Sequence, residues 1–316
     1  MNTSLQNISD AAKVQMICHG LRTIPYTETL ASSAAALTTA ILGIPLAFLS
    51  TNFNAVIIIT IWKTSSLQTP SNTLIACLSL FNQTVGCVVQ PLESGLSFLE
   101  VSGTHDCTGK LVLTLFSIFI CGMSMVMLGL MSVDRYFAIH FPFLYENAIS
   151  SERYIILVAI ASVLFMSFNT LAIAGVIGQS LHATLLLIVA VLLIVVFVAC
   201  NIAIDRTATA QRRRIFSTSI VNAATQITLS AENRKKARTI KILTWSFLIC
   251  YSPAVLSAMI ASITKDSENI TYISAKIVTF LVFVSSTVTP LIYCFRAQAF
   301  RNRIPQLFKC YRSVLN

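Results

Sequence analysis

Charge is what this sequence has least of. Charged residues make up 11% of its 316 positions, against roughly a quarter in ordinary soluble domains. Histidine is scarce too. The four residues, His19, His105, His140 and His182, are scattered over loops and helix ends. A metal hydrolase needs histidines and carboxylates clustered, so no metal site is expected. No catalytic triad and no phosphate loop occur, and neither enzymatic activity nor a cofactor is expected. There is no internal repeat and no Asp, Glu, Lys or Arg at mid-helix, so two common marks of a transporter are missing.

What is present is hydrophobic and comes in blocks. Hydrophobic residues make up 55% of the chain, and uncharged stretches cover 29–62, 64–92, 111–133, 154–204, 242–264 and 277–295. A bilayer core needs about 20 apolar residues in a helix, so each stretch reads as membrane-spanning. The block 154–204 is too long for one crossing. Gly175, Gly178, Gln179, Ser180 and His182 divide it into two helices joined by a short turn. The expectation is an all-α membrane protein, a seven-transmembrane helix bundle, with helices near 35–62, 70–98, 108–140, 153–174, 182–208, 235–263 and 272–295.

Seven crossings place the termini on opposite sides, and basic residues in short loops mark the inner side. With the N-terminus outside, only Lys13, Arg22, Lys110, Lys265 and Lys276 lie outside, and the other 17 of the 22 basic residues lie inside. The net charge of +10 then reflects cytoplasmic loops beside an anionic leaflet, and no nucleic-acid partner is expected. The expected organisation is an extracellular segment 1–34, a membrane domain 35–295 and a cytoplasmic tail 296–316. From Phe295 into that tail, Phe295, Ala299, Phe300, Ile304, Leu307 and Phe308 lie among Arg296, Arg301, Arg303 and Lys309 at roughly helical spacing, as in a short amphipathic eighth helix. No cleavable signal peptide is apparent in the polar start of the chain. Asn2, Asn7 and Asn269 head glycosylation sequons on the outer side. Asn82 heads another inside the second helix, out of reach. Of nine cysteines, only Cys18 and Cys107 lie outside and are candidates for one disulfide. Cys310, among basic residues after the last helix, is a candidate palmitoylation site.

Asp134-Arg135-Tyr136 closes the 23-residue uncharged run 111–133. A charged pair at a membrane-helix end is either a solvated anchor or a mechanism. Asn54, the segment Leu67-Gln68-Thr69-Pro70-Ser71-Asn72, Asp134-Arg135-Tyr136, Phe247 with Cys250-Tyr251 and Pro253, Thr289-Pro290-Leu291-Ile292-Tyr293, and Phe295-Arg296 with Phe300-Arg301 occur in order, each on its expected helix. This series resembles the rhodopsin-like (class A) G-protein-coupled receptors from about residue 45 to 310. The resemblance implies a receptor in the plasma membrane that binds an extracellular ligand. On activation the sixth helix moves outward, Arg135 engages a heterotrimeric G protein, and Tyr293 swings inward. Arrestin is a further implied partner. Asp134, Arg135, Tyr136, Tyr251, Pro253, Pro290 and Tyr293 would form the coupling switch. Proline removes a backbone donor and bends a helix, which suits Pro253 and Pro290 to that role.

The chain departs from the family pattern. The helix-2 aspartate of the family's sodium site is Asn82, and the residue before the helix-7 proline is Thr289, so that site should be lost or weak. Asn201 stands at the helix-5 tyrosine position and Tyr251 at the helix-6 tryptophan position. The expected partner acid for Arg135 is Asn233. A short second outer loop without cysteine resembles the melanocortin and lysolipid receptor branch. Ser117 replaces the helix-3 aspartate of amine receptors, and Phe283 the retinal lysine of visual pigments. Thr114, Ser117, Cys121, Tyr251, Ala254, Phe280 and Phe283 mark a mostly apolar candidate pocket for a small-molecule, lipid or peptide ligand. Glu93 and Lys276 stand near the outer ends of neighbouring helices and would pair with each other or with a polar ligand group. A receptor-like protein that does not signal, or a seven-helix transporter, are the alternatives.

Overall fold

The computed structural model describes residues 29–104, 106–215, 238–239, 241–243, 245–253, 256, 268–296 and 300–301, together with the backbone at 13–14, 17–18, 21–22 and 26–27. Six of its helices are long and apolar enough to cross a membrane. Numbering only the membrane helices, these are α1 (Leu30–Lys63), α2 (Pro70–Val101), α3 (Cys107–His140), α4 (Ser151–Ile173), α5 (Gln179–Ile215) and α7 (Glu268–Arg296). Between α5 and α7, residues 238–239, 241–243, 245–253 and 256 are helical and belong to α6. A short helix, Pro142–Ala148, lies between α3 and α4. Ahead of α1, Lys13–Val14 pairs with Tyr26–Thr27, and Ile17–Cys18 with Leu21–Arg22, as two antiparallel ladders.

Local chemistry sets the helix ends. α1 starts five residues before the expected position because Thr29 and Ser32 form a capping box: the Ser32 amide donates to Thr29 Oγ1 at 3.2 Å and the Thr29 amide to Ser32 Oγ at 2.9 Å. Thr69 caps α2, with Pro70 in its first turn. The outer ends of α2 and α4 close on Gly103 and Gly175, with φ of 75° and 77°. At each, the glycine amide and the next amide fold back on carbonyls of the last turn, Glu100 and Leu99 in one case, Ala172 and Leu171 in the other. This is a Schellman ending, which glycine enters without a Cβ penalty. It explains why the second outer turn is so short.

Pro91 bends α2 in a specific way. It has no amide to donate to the Cys87 carbonyl, and the helix widens just before it. Val85–Val89 is a π segment, closed by the Gln90 amide on the Val85 carbonyl. The wide turn brings Gly86 against α1. A Cβ there would lie 2.6 Å from Thr51 Oγ1 and 2.8 Å from the Thr51 nitrogen.

Most of the apolar surface faces outward, as in Phe48, Trp62, Leu164, Val191 and Leu192. That suits helices whose solvent is lipid. The buried core is narrow. Ile57, Leu74, Leu78, Met123, Met127, Met131, Leu243, Phe247 and Tyr293 fill its inner half, and Val85, Val89, Ile120 and Phe283 form a second cluster toward the outside.

Candidate functional site

Two polar sites lie at opposite ends of this core. The inner one is built around Asp134, which is 1% exposed, and Arg135, 4% exposed. Asp134 Oδ2 accepts from Arg135 Nε at 2.8 Å, from Arg135 Nη2, and from Ser71 Oγ of α2 at 2.7 Å. Its other oxygen, Oδ1, accepts from the Tyr145 and Tyr154 phenols, each at 2.7 Å. Arg135 Nη2 also reaches Ser71 Oγ, and Tyr145 Oη at 3.4 Å. A buried ion pair is stable only when its remaining lone pairs and protons are satisfied, and these donors satisfy the carboxylate. Burial, and then the Asp134 carboxylate, push the Tyr145 phenol well above its ordinary range, so it stays a donor.

Each partner comes from a different element. Ser71 sits in the first turn of α2 and Tyr145 on the short inner helix. Tyr154 lies in the first turn of α4, whose cap is Ser150. Tyr136 stands apart: its ring stacks on His140 at 4.2 Å, and His140 Nε2 meets Thr207 Oγ1 of α5 at 2.6 Å. Between α5 and α6, Lys241 pairs with Asp205. Tyr293 is 2% exposed, and its hydroxyl donates to Met131 Sδ of α3 at 3.4 Å.

The prolines expected to act as switches have visible consequences. Pro290 leaves the Ser286 carbonyl without its helical donor, and α1 supplies substitutes: Asn54 Nδ2 at 3.2 Å and Ser50 Oγ at 3.4 Å. Pro253 does the same to the Ile249 carbonyl, to which Ser252 Oγ donates at 3.4 Å. Asn82 is buried near this seam, and its main-chain carbonyl accepts from Ser50 Oγ at 3.3 Å. The Thr289 hydroxyl turns back to the Ser285 carbonyl at 2.8 Å. Ser50, Asn54, Asn82, Ser124, Ser285 and Ser286 are all buried and all neutral.

The outer site is ionic. Lys276 Nζ lies 2.7 Å from Glu93 Oε1, 2.9 Å from Glu100 Oε2 and 2.8 Å from Ser97 Oγ. Lys110 pairs with Glu100 Oε1, the Tyr272 phenol donates to Glu100 Oε2 at 2.9 Å, and Ser97 Oγ donates to Glu93 Oε1 at 3.3 Å. Two carboxylates from α2 thus meet one ammonium from α3 and one from α7. The expected approach of Glu93 and Lys276 is realised, but as half of a quartet. Glu100 follows Glu93 by seven residues and so shares its helix face; that spacing was the available signal for it. Lys110 belongs to the same group.

Below the quartet the pocket candidates separate. Thr114, Ser117 and Cys121 follow Lys110 down one face of α3 and are half-buried, as are Phe280 and Tyr251. The Tyr251 ring stacks on Phe247 at 3.8 Å. Phe283 is 1% exposed and packs with Ile120, Val85 and Val89, so it forms the floor beneath these residues. Cys107 is disulfide-bonded, whereas Cys77, Cys87, Cys121, Cys200, Cys250 and Cys294 are free thiols. Asn269 falls in the first turn of α7. Ala254, Asn2, Asn7, Asn233 and Cys310, the side chain of Cys18, and the eighth helix apart from Phe300 and Arg301 lie outside the described residues.

Residues 53–176 match the sequence model of the 7 transmembrane receptor (rhodopsin family). The chain is 25% identical over 283 residues to trace amine-associated receptor 13c of Danio rerio, covering 82% of this chain and 79% of that receptor. Its fold matches the crystal structure of squid rhodopsin with a TM-score of 0.76 at 19% identity, over 88% of this chain and 87% of the other. The chain is thus similar to rhodopsin-like receptors in sequence over residues 53–176 and shares the seven-helix fold of squid rhodopsin. Its six long apolar helices and this fold are those of a multi-pass membrane protein.

Proposed function

We propose that this protein is a rhodopsin-like (class A) G-protein-coupled receptor that takes a ligand at its outer end and activates a heterotrimeric G protein at its inner end, through outward movement of α6. The observation that carries this reading is the closed ring around Asp134 and Arg135. Arginine keeps its charge under all physiological conditions, and here it is held by Asp134, Ser71 and Tyr145. We read this as the resting state. Lys241 on α6 is tied to Asp205 on α5, and outward movement of α6 would strain that tie while Arg135 turns to the G protein and Tyr293 leaves Met131. Arrestin would use the same opening.

The N-terminus is outside and the C-terminus cytoplasmic in this reading, in the plasma membrane. Asn2, Asn7 and Asn269 carry glycans, and Cys310 a palmitoyl chain. Cys18 is the proposed partner of Cys107; the backbone of Ile17–Cys18 contacts α3. The trace amine relative is named for an amine, but Ser117 stands where amine receptors carry a carboxylate, so a simple amine is disfavoured. The reading is tested without a ligand. Asp134→Asn should raise basal G-protein activation in cells, and Asp134→Asn/Arg135→Ala should abolish the rise. A basal signal that is independent of Arg135 in both backgrounds would favour a receptor-like protein that does not signal.

A further inference from the structure

We infer that the ligand is a zwitterion of the α-amino-acid class, its charged head exchanging partners with the Glu93–Glu100–Lys110–Lys276 quartet. The inference rests on the receptor reading above. The quartet is electroneutral, with two carboxylates and two ammoniums. Three of its members are nearly buried: the side chains of Glu93, Glu100 and Lys276 are 8%, 3% and 10% exposed. Lys110 is more open at 18% and marks the way in. At such burial an uncompensated charge is strongly disfavoured. A ligand with one charge would unbalance the group: an amine taking Glu93 leaves Lys276 and Lys110 to share Glu100, and an acid taking Lys276 leaves Glu93 facing only Ser97. A ligand carrying an ammonium and a carboxylate on one carbon avoids this. Its carboxylate takes the place of Glu93 against Lys276, its ammonium takes the place of Lys276 against Glu93, and every charge stays opposed.

The rest of the ligand would lie along the α3 residues below the quartet. Lys110, Thr114, Ser117 and Cys121 stand at i, i+4, i+7 and i+11 of α3, one inward-running face. Thr114 lies about 6 Å and Ser117 about 10 Å below Lys110 along the axis, which is the reach of an amino-acid side chain. Phe280, one turn below Lys276, faces the same level, and buried Phe283 closes the floor.

The test is a thermal-shift titration of the full-length receptor in lipid nanodiscs. The probes are the L-α-amino acids, each beside its decarboxylated amine and its deaminated acid. At least one amino acid should stabilise the receptor, and its amine and acid should bind at least ~10-fold more weakly, the loss expected for one charge-assisted pair. Lys276→Gln should remove the shift. Ser117→Leu leaves all four charges in place and should weaken long side chains relative to glycine or alanine. An amine or an acid that matches its amino acid, or no shift with any amino acid, overturns the inference and leaves the quartet a structural clamp. Because the readout is binding, a failure of G-protein coupling would appear separately, as binding without signal.

Discussion

Removing one phenol from the Asp134 ring is the sharpest test of how the receptor is kept silent. Tyr145→Phe deletes a single hydroxyl and leaves the ring in place. Asp134 Oδ1 then keeps only Tyr154, and Arg135 Nη2 loses its 3.4 Å contact. A hydrogen bond to a charged group contributes about 1.5–3 kcal/mol. If that bond exists only in the resting state, the ratio of active to resting receptor rises by roughly 10- to 150-fold, at 1.4 kcal/mol per decade. Starting from an active fraction of about 1%, the lower bound already gives a basal signal on the order of tenfold higher. Nucleotide exchange on a purified G protein by nanodisc-embedded receptor measures this directly. Tyr154→Phe should act in the same direction. Both phenols share one oxygen, so the double variant should exceed either single one without being additive. Unchanged exchange in all three variants, with normal folding, would refute the idea that this ring holds Arg135.

Three further outcomes follow from the packing. Lys276→Gln leaves Glu93 facing only Ser97, and Glu100 only Lys110 and Tyr272; it should cost about 3–5 kcal/mol, as for breaking a buried pair, and lower the unfolding temperature, with Lys276→Arg restoring part of it. Gly86→Ala forces a Cβ onto the Thr51 backbone and should cost roughly 1–3 kcal/mol, whereas Gly95→Ala, with nothing within 4 Å, should be neutral; urea or thermal unfolding in micelles separates the two. The neutral seam at Asn82 and Thr289 offers no anion to sodium, so the unfolding temperature should be the same in sodium and choline chloride at equal ionic strength, and a sodium-specific rise would contradict this.

The helices were legible because charge is excluded from their apolar parts: among the described residues, the uncharged blocks 29–62, 64–92, 111–133, 154–204 and 277–295 underlie six membrane-spanning helices. The break at Gly175 was legible because only glycine enters that backbone region freely. A proline at position 91 implies a bend, but not that α2 absorbs it upstream as a π turn, which brings Gly86 against α1. The inner site was half legible. Asp134 and Arg135 stand out by their charge at a membrane edge. Ser71, Tyr145 and Tyr154 are ordinary in sequence and become partners only when the short helix Pro142–Ala148 packs back under α3. At the outer end, Glu93 and Lys276 were conspicuous as lone charges near helix ends, whereas nothing marked Glu100 and Lys110 as their partners before α2, α3 and α7 converge.

The Ser286 carbonyl, pinned by Asn54 and Ser50, turns α7 into a lever with a fixed fulcrum. With α7 held to α1 at Ser286 and to α2 through Lys276, a change of bend at Pro290 is delivered mainly to the inner arm. Tyr293 sits seven residues along that arm, roughly 10 Å from the fulcrum at 1.5 Å per residue. A rotation of about 20°, typical of a proline bend, carries its backbone roughly 3–4 Å, enough to break the contact with Met131 while the ligand end stays still. The geometry thus lets the intracellular arm travel without asking the outer quartet to move with it.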